Sequence, residues 1–403
     1  MDFLPAWPLE YNAQIAFGVL LMAGVLGGFL AHRIAWLPSI TGFMVVGFLI
    51  GPYGIDLLTQ DALDLASPLI GVALALILYR LGLSLDLRAM LHERRLLLVA
   101  LAESAATFLA CYWVLVQLGL TPFLAGLTAA IVISSSPAVL IHVANEVGAA
   151  GPTTERAKEL VALNNVFAFF AFSAVLPFAH LATDHNWTTA LMQPIYRLAG
   201  SALVALIIAW LLVQLARKTR AAPQYRFALV VGALMLGIGV ADALLLSPLF
   251  VPLAMGVAVR TIESDRETLS EVEFGEAFEL FFIILFVFAG AKIRPDLIIS
   301  LGGMALALVA VRCAVKGATV YGLLRWQGIA PQPAAASGLL LVPMAGLAIG
   351  LAQTADQLFA LDAEALLALV LTAVAILETI GPPIAAYAFR LAGESGKSPA
   401  ATR

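Results

Sequence analysis

Long apolar runs, separated by short polar stretches, recur along nearly the whole of this 403-residue chain. Many of the runs are about 17–25 residues long, the length of helix that crosses the hydrocarbon core of a bilayer. Hydrophobic residues make up 62% of the chain and charged residues only 12%, whereas a soluble domain is about 25% charged. Because so few charges cannot cover a soluble surface of this size, the sequence predicts an all-α polytopic membrane protein.

About thirteen transmembrane helices are predicted from segment length and hydropathy. The segments are 12–31, 38–51, 67–86, 96–118, 122–144, 158–182, 196–215, 226–246, 248–260, 276–294, 297–324, 335–355 and 363–391. Several contain Gly or Pro, which membrane helices tolerate when neighbouring groups bind the freed backbone. We therefore divide the chain into a transmembrane transporter domain, 1–390, and a short cytoplasmic tail, 391–403.

Basic residues are distributed unevenly between the loops on the two sides of the membrane. Most of the 22 Lys and Arg residues fall on one side, and an excess of Lys and Arg marks the cytoplasmic loops of membrane proteins. The sequence thus predicts an external N-terminus and a cytoplasmic C-terminus. We expect the membrane to be the bacterial cytoplasmic (inner) membrane.

The two halves of the chain show a weak internal similarity. Ile133–Leu140 and Leu341–Gly350 are apolar runs interrupted by Ser and Pro or by Pro and Gly. Repeat one is predicted at about 12–182 and repeat two at about 226–391, joined by a linker helix at about 196–215 that inverts the second copy. Interrupted segments at matching places in inverted halves point to the midplane site of a transporter. The alternative is that the small residues only permit close helix packing.

Five motifs follow one another in a specific order. They are Ser134–Pro137 with Asn145–Gly148 after it, Leu160–Ala168 (LVALNNVFA), Phe281–Ile293 (FFIILFVFAGAKI), Arg312 and Lys316 before Gly317, and Glu378–Pro382 (ETIGP). In this order the motifs resemble the second cation:proton antiporter family, which has a sodium/hydrogen exchanger-like membrane domain. The resemblance implies a sodium/proton-antiporter-like fold of thirteen helices with a core domain and a dimerisation domain. It also implies a homodimer and elevator-type alternating access.

The chain departs from the family pattern at Asn164 and Asn165, where the resemblance implies an ion-binding aspartate. A carboxylate binds a cation when ionised and is neutral when protonated, whereas an asparagine offers a carbonyl oxygen but does not titrate. Both asparagines are expected beside the two interrupted segments. The predicted ion or substrate site comprises Asn164, Asn165, Ser134, Ser135, Ser136 and Glu378.

Ionisable residues inside membrane segments are functional candidates, because buried charge is costly. Glu103, Arg312 and Lys316 are predicted to form a core charge network, with Glu103 paired either to Arg312 or to Lys316. If the protein exchanges protons, Glu378 or Lys316 is expected to carry the coupled proton. The structural alternative for Glu378 is a hydrogen bond that packs two helices. Structural roles are expected for three further ionisable residues: Arg80, Asp242 and Glu279.

These features predict a secondary active transporter, an antiporter of Na⁺ or K⁺ against H⁺. No phosphate-binding loop, nucleophile elbow or metal-spaced His/Cys cluster appears in the sequence, so we do not expect an enzyme or a cofactor. The expected partners are the transported ions, the lipid bilayer and a second copy of the chain, but no nucleic acid. The alternative is a same-fold transporter of an anion or organic solute, or a non-exchanging sensor or structural membrane protein.

Overall fold

The fold is described from a computed structural model, which covers residues 12–33, 39–83, 94–176, 178, 187–219, 223–263, 275–293, 295–344 and 346–396. Within these ranges the secondary structure is helical, with fourteen helices and no strand. The first seven are α1 (Ala13–His32), α2 (Ser39–Ile50), α3 (Gln60–Leu83), α4 (Arg94–Gln117), α5 (Pro122–Ile131), α6 (Pro137–Glu146) and α7 (Pro152–Val175). The others are α8 (Trp187–Lys218), α9 (Pro223–Ala243), α10 (Phe250–Ile262), α11 (Gly275–Ala291), α12 (Pro295–Trp326), α13 (Pro331–Leu339) and α14 (Gly346–Leu391).

Seven helices of the described chain are long and apolar enough to cross a membrane. The number is eight if the two arms of α3, Gln60–Ala66 and Ile70–Arg80, which meet at 47°, are taken as one span. Shorter apolar helices complete the set: Pro122–Ile131, Phe250–Ile262 and Gly346–Ala355. The prediction of an all-α polytopic membrane protein is confirmed, whereas the count of thirteen segments stays a prediction.

The structure differs from the predicted segments at 122–144, 335–355 and 363–391. Segment 122–144 is divided into α5 and α6 by an unwound stretch, 132–136. The acidic residues of Thr354–Glu364, between segments 335–355 and 363–391, predict an external loop. The chain is instead helical through 354–364. The physical reason is that no Gly or Pro lies between Leu351 and Ile380, and the Ala, Leu, Gln and Glu residues of this stretch favour a helix.

The chain separates into two compact units, of which the first comprises Met1–Leu74 and Phe274–Pro295. In this unit α1, α2 and α11 pack against one another. Glycines make the close contacts possible, because a Cβ on Gly47 would collide with the Val287 carbonyl and one on Gly290 with the Met44 carbonyl. Small residues of this kind are what allows helix backbones to approach closely in a membrane.

The second unit comprises Ala75–Glu273 and Asp296–Arg403. Helix α4 packs on α5 and α7, and α14 contacts α5, α6, α7 and α13. Every residue of the predicted ion site and of the predicted charge network belongs to this unit. The division into two inverted repeats, a core domain and a dimerisation domain remains a prediction.

Candidate functional site

The first interrupted segment unwinds between Ile131, where α5 ends, and Pro137, where α6 begins. A proline disfavours helical geometry in the residue before it, and serine side chains compete with helical hydrogen bonding. The Ser134 hydroxyl donates to the Ile131 carbonyl at 2.7 Å, and the Ser136 hydroxyl accepts from the Val139 N–H at 3.3 Å and so caps α6. The serines thus satisfy the ends of the two half-helices locally.

A second break follows Leu339, where α13 ends, and α14 begins at Gly346. The two breaks touch one another directly. The Ser136 N–H donates to the Pro343 carbonyl at 2.8 Å, and the Ser135 hydroxyl donates to the Leu341 carbonyl at 2.9 Å. All three serines, 134 to 136, are buried, so the two unwound stretches form a crossing inside the unit.

Arg312 on α12 binds the carbonyl oxygens that the two breaks expose. It donates to Val132 at 2.8 Å, to Ser134 and Val342 at 2.7 Å each, and to Leu341 at 3.4 Å. These carbonyls follow the C-terminal ends of α5 and α13, where helix dipoles favour a positive charge. The fully buried guanidinium therefore holds the crossing together and occupies carbonyls that a bound cation could otherwise use.

Lys316, one turn after Arg312, forms a buried ion pair with Glu103 of α4. The Lys316 Nζ lies 2.7 Å from the Glu103 Oε1, and both side chains are 0% exposed. The Thr107 hydroxyl donates to the same oxygen at 2.8 Å. Of the two basic partners that the sequence leaves open for Glu103, Lys316 is the one that the structure places in contact.

The asparagine pair of α7 lies beside the crossing. The Asn165 Nδ2 donates to the Ser135 carbonyl at 2.9 Å, and its Oδ1 accepts from the Ser135 N–H at 3.2 Å. The Asn164 Oδ1 accepts from the Ser104 hydroxyl at 3.4 Å, while its buried Nδ2 has no partner among the described residues. Asn165 therefore replaces the backbone hydrogen bonds that Ser135 loses at the break.

Glu378 on α14 is fully buried, and neither of its carboxyl oxygens has a hydrogen-bond partner in the described chain. It lies one turn before Gly381, on the same side of the helix. A Cβ on Gly381 would be 3.1 Å from the Pro343 Cβ, so α14 passes directly against the second break at this point. An ionised carboxylate buried without a partner is very costly, and either a proton or a neighbouring cation removes that cost.

The family of the chain follows from its sequence as a whole. The profile described as "Sodium/hydrogen exchanger, transmembrane" matches residues 18–388. The chain belongs to the sodium/hydrogen exchanger family. This membership confirms the resemblance seen in the motifs and identifies a multi-pass membrane transporter. Asn164 and Asn165 stand within the matched part of this exchanger-family protein.

A solved structure has the same fold. The sodium proton antiporter MjNhaP1 from Methanocaldococcus jannaschii superposes with a TM-score of 0.77 over 94% of this chain and 98% of that chain, at 17% sequence identity. Identity at this level shows the fold alone, and it confirms the antiporter-like architecture. A search of curated proteins by sequence finds no match.

Several residues around the crossing were not among those singled out by sequence. Thr107 lies one turn after Glu103 and Ser104 lies next to it, which is a local signal that could have identified both. Of the lesser candidates, Arg80 and Asp242 are exposed, and the side chain of Glu279 lies outside the described part.

Proposed function

We propose that this exchanger-family protein is a monovalent cation/proton antiporter that carries Na⁺ or K⁺. Its family supports exchange of a cation for protons. The observation that carries the proposal is the Glu378 carboxyl, which is fully buried and has two oxygens without a partner in the described chain. Among the described residues near the crossing, no other acidic side chain combines these properties, because Glu103 is paired with Lys316.

The chemistry of Glu378 suits competition between a proton and a cation. When protonated, the carboxyl is neutral and tolerates an apolar interior, whereas the ionised carboxylate needs a positive charge beside it. A monovalent cation supplies that charge, and a proton replaces it. The amide oxygens of Asn164 and Asn165 are neutral oxygen ligands beside the crossing, and each keeps a second lone pair in addition to the bond that it accepts.

Lys316 is the second candidate for the coupled proton, and its contacts favour Glu378 instead. The ammonium is held at 2.7 Å by Glu103, which also accepts from Thr107. Removing a proton from Lys316 would leave Glu103 as an unpaired buried carboxylate, which is a strongly unfavourable state. Lys316 therefore acts as a permanent positive charge that balances Glu103.

The same contacts weaken the alternative of an anion carrier. Arg312 donates four hydrogen bonds to the carbonyls of the crossing, and Lys316 is neutralised by Glu103. Neither side chain is left to neutralise an anionic substrate. An anion would also have to lie near Glu378, and like charges repel strongly in a low-dielectric interior.

Transport in this proposal follows an elevator-type cycle in a homodimer of the bacterial inner membrane, with the N-terminus outside. Hydrogen bonds join the two breaks to each other, to α7 through Asn165 and to α12 through Arg312. A group of helices tied in this way supports movement of the ion site as one body with alternating access to the two sides.

The test is cation-driven pH change in proteoliposomes with Na⁺, K⁺ and a chloride or organic-anion panel. Wild type should exchange with at least one alkali cation, and Glu378→Gln should lose this exchange. Lys316→Gln distinguishes the second candidate, and Glu155→Gln, which alters a glutamate exposed on α7, is the control. Wild-type protein without any alkali-cation rate would refute antiport. Full activity of Glu378→Gln would remove Glu378 as the carrier.

A further inference from the structure

The chain segment that follows α14 is tied to the start of α7. The Glu394 Oε1 accepts from the Thr153 N–H at 2.7 Å, and its Oε2 accepts from the Thr154 N–H at 2.8 Å and the Thr154 hydroxyl at 2.7 Å. Two backbone bonds flank these contacts: the Ala150 N–H donates to the Glu394 carbonyl at 3.2 Å and the Gly396 N–H to the Val147 carbonyl at 2.9 Å. We call these contacts of Glu394 and Gly396 the clasp.

The local sequence of α7 leaves a place for this carboxylate. The residue before the helix is Gly151, which has no capping side chain, and the first residue is Pro152. The N–H groups of Thr153 and Thr154 therefore lack an intrahelical acceptor. The two carboxyl oxygens of Glu394 accept one hydrogen bond from each of them. A Cβ on Gly151 would be 2.5 Å from the Glu394 Cδ, so the glycine makes room for the carboxyl. Glu394 is only 4% exposed.

The clasp joins the two helices that bear the proposed ion ligands. Helix α7 begins at the clasp, and Asn165 lies about three turns, or about 17 Å, along it from Thr154. Helix α14 ends at the clasp, and Glu378 lies about three and a half turns, or about 20 Å, before Leu391. The asparagine pair and the carboxyl are thus at similar distances from one fixed point, on two helices that also contact each other.

The geometry points to Glu394 as a positioning residue that fixes the register of α7 against α14 and thereby the spacing between Asn165 and Glu378. This inference rests on the proposed function, since it assigns both residues to one ion site. A ligand set holds its ion well only within about 0.5 Å of the productive geometry. Sliding α7 by a single residue along α14 would displace its ligands by about 1.5 Å.

The experiment measures the initial rate of exchange in proteoliposomes against cation concentration for wild type, Glu394→Ala and Glu394→Gln. A displacement of about 1 Å costs up to about 100-fold in a positioned site. We therefore expect the half-saturating cation concentration to rise about 10- to 100-fold in Glu394→Ala, with a smaller rise in Glu394→Gln, which keeps one acceptor oxygen. The rate at saturating cation should change far less. Glu155→Gln, on the same turn of α7, should match wild type.

Gly151→Ala provides an independent approach, because its methyl group displaces the carboxyl while every bonding group remains. It should also raise the half-saturating concentration, because the added Cβ would lie 2.5 Å from the Glu394 Cδ. If Glu394→Ala does not fold, Glu394→Gln and Gly151→Ala carry the same test. A half-saturating concentration equal to wild type in the folded variants overturns the inference while leaving antiport intact. An inactive wild-type protein overturns both.

Discussion

The buried pair of Glu103 and Lys316 allows a stability prediction that can be worked from the structure. The two charged atoms lie 2.7 Å apart, and both side chains are 0% exposed. Each single substitution, Glu103→Gln or Lys316→Gln, leaves the other charge in the interior without its counter-ion. The double variant has two neutral amides, which can hydrogen-bond to each other.

The expected magnitudes follow from the burial of the two charges. Removing one partner of a buried ion pair costs about 3–5 kcal/mol, whereas replacing both can be nearly neutral. Two additive losses would therefore amount to about 6–10 kcal/mol in the double variant. We expect the double variant to be no less stable than either single variant, because no uncompensated charge remains.

The assay is a double-mutant cycle of thermal stability on protein purified in detergent. Glu155 and Lys158 on α7 provide a matched control, since their charged atoms lie 2.8 Å apart but their side chains are 66% and 41% exposed. In this exposed pair the double-mutant cycle should give a coupling free energy of about 0.2–0.5 kcal/mol. Two outcomes would refute the view that the pairing of Glu103 and Lys316 neutralises a buried charge. One is that the stability losses of the two single variants add up in the double variant, and the other is a coupling free energy no larger than that of the control pair.

Two further predictions concern the other buried polar groups. Arg312→Lys should be destabilised nearly as much as Arg312→Gln, although it keeps the positive charge. The reason is that an ammonium cannot replace the forked guanidinium that binds the carbonyls of Val132, Ser134 and Val342. A melting temperature of Arg312→Lys near that of wild type would contradict this. Burial raises the pKa of Glu394, but the hydrogen bonds from Thr153 and Thr154 lower it more, so its pKa is below the ordinary value. A lowered folded-state pKa adds stability above the unfolded pKa of about 4.3, and this stability is lost as the pH falls through the folded pKa. Glu394→Gln should thus be less stable than wild type by about 1–3 kcal/mol at pH 7, with a difference that shrinks below about pH 4; a difference independent of pH would exclude a role for the carboxylate charge.

The architecture of the protein was accessible from sequence because it depends on local signals. Apolar runs of membrane-spanning length predict the helices, and the ordered motifs led to the exchanger family. The two breaks could also be located, since Ser134–Pro137 and Pro343–Gly346 are combinations that interrupt a helix. The helix across 354–364 was missed because its acidic residues suggested a loop, although its residues favour a helix.

The contacts at the site could not be assigned by sequence in the same way. Arg312 and Lys316 lie on one face of α12, and spacing alone does not say which of them meets Glu103. The choice depends on where the unwound carbonyls point, because the forked guanidinium can bind several of them at once. The Glu394 contacts join residues about 240 positions apart, and neither a short tail nor Gly151 before Pro152 indicates them.

The central claim is that one buried carboxyl, Glu378, binds either a proton or a cation. Its most direct test is proton release on addition of Na⁺ or K⁺ to detergent-solubilised protein in weak buffer, measured with a pH dye. Linkage between the two ions requires that cation binding displace protons, so wild type should release about one proton per bound cation and Glu378→Gln none. Cation binding without proton release, or equal release by wild type and Glu378→Gln, would contradict the account.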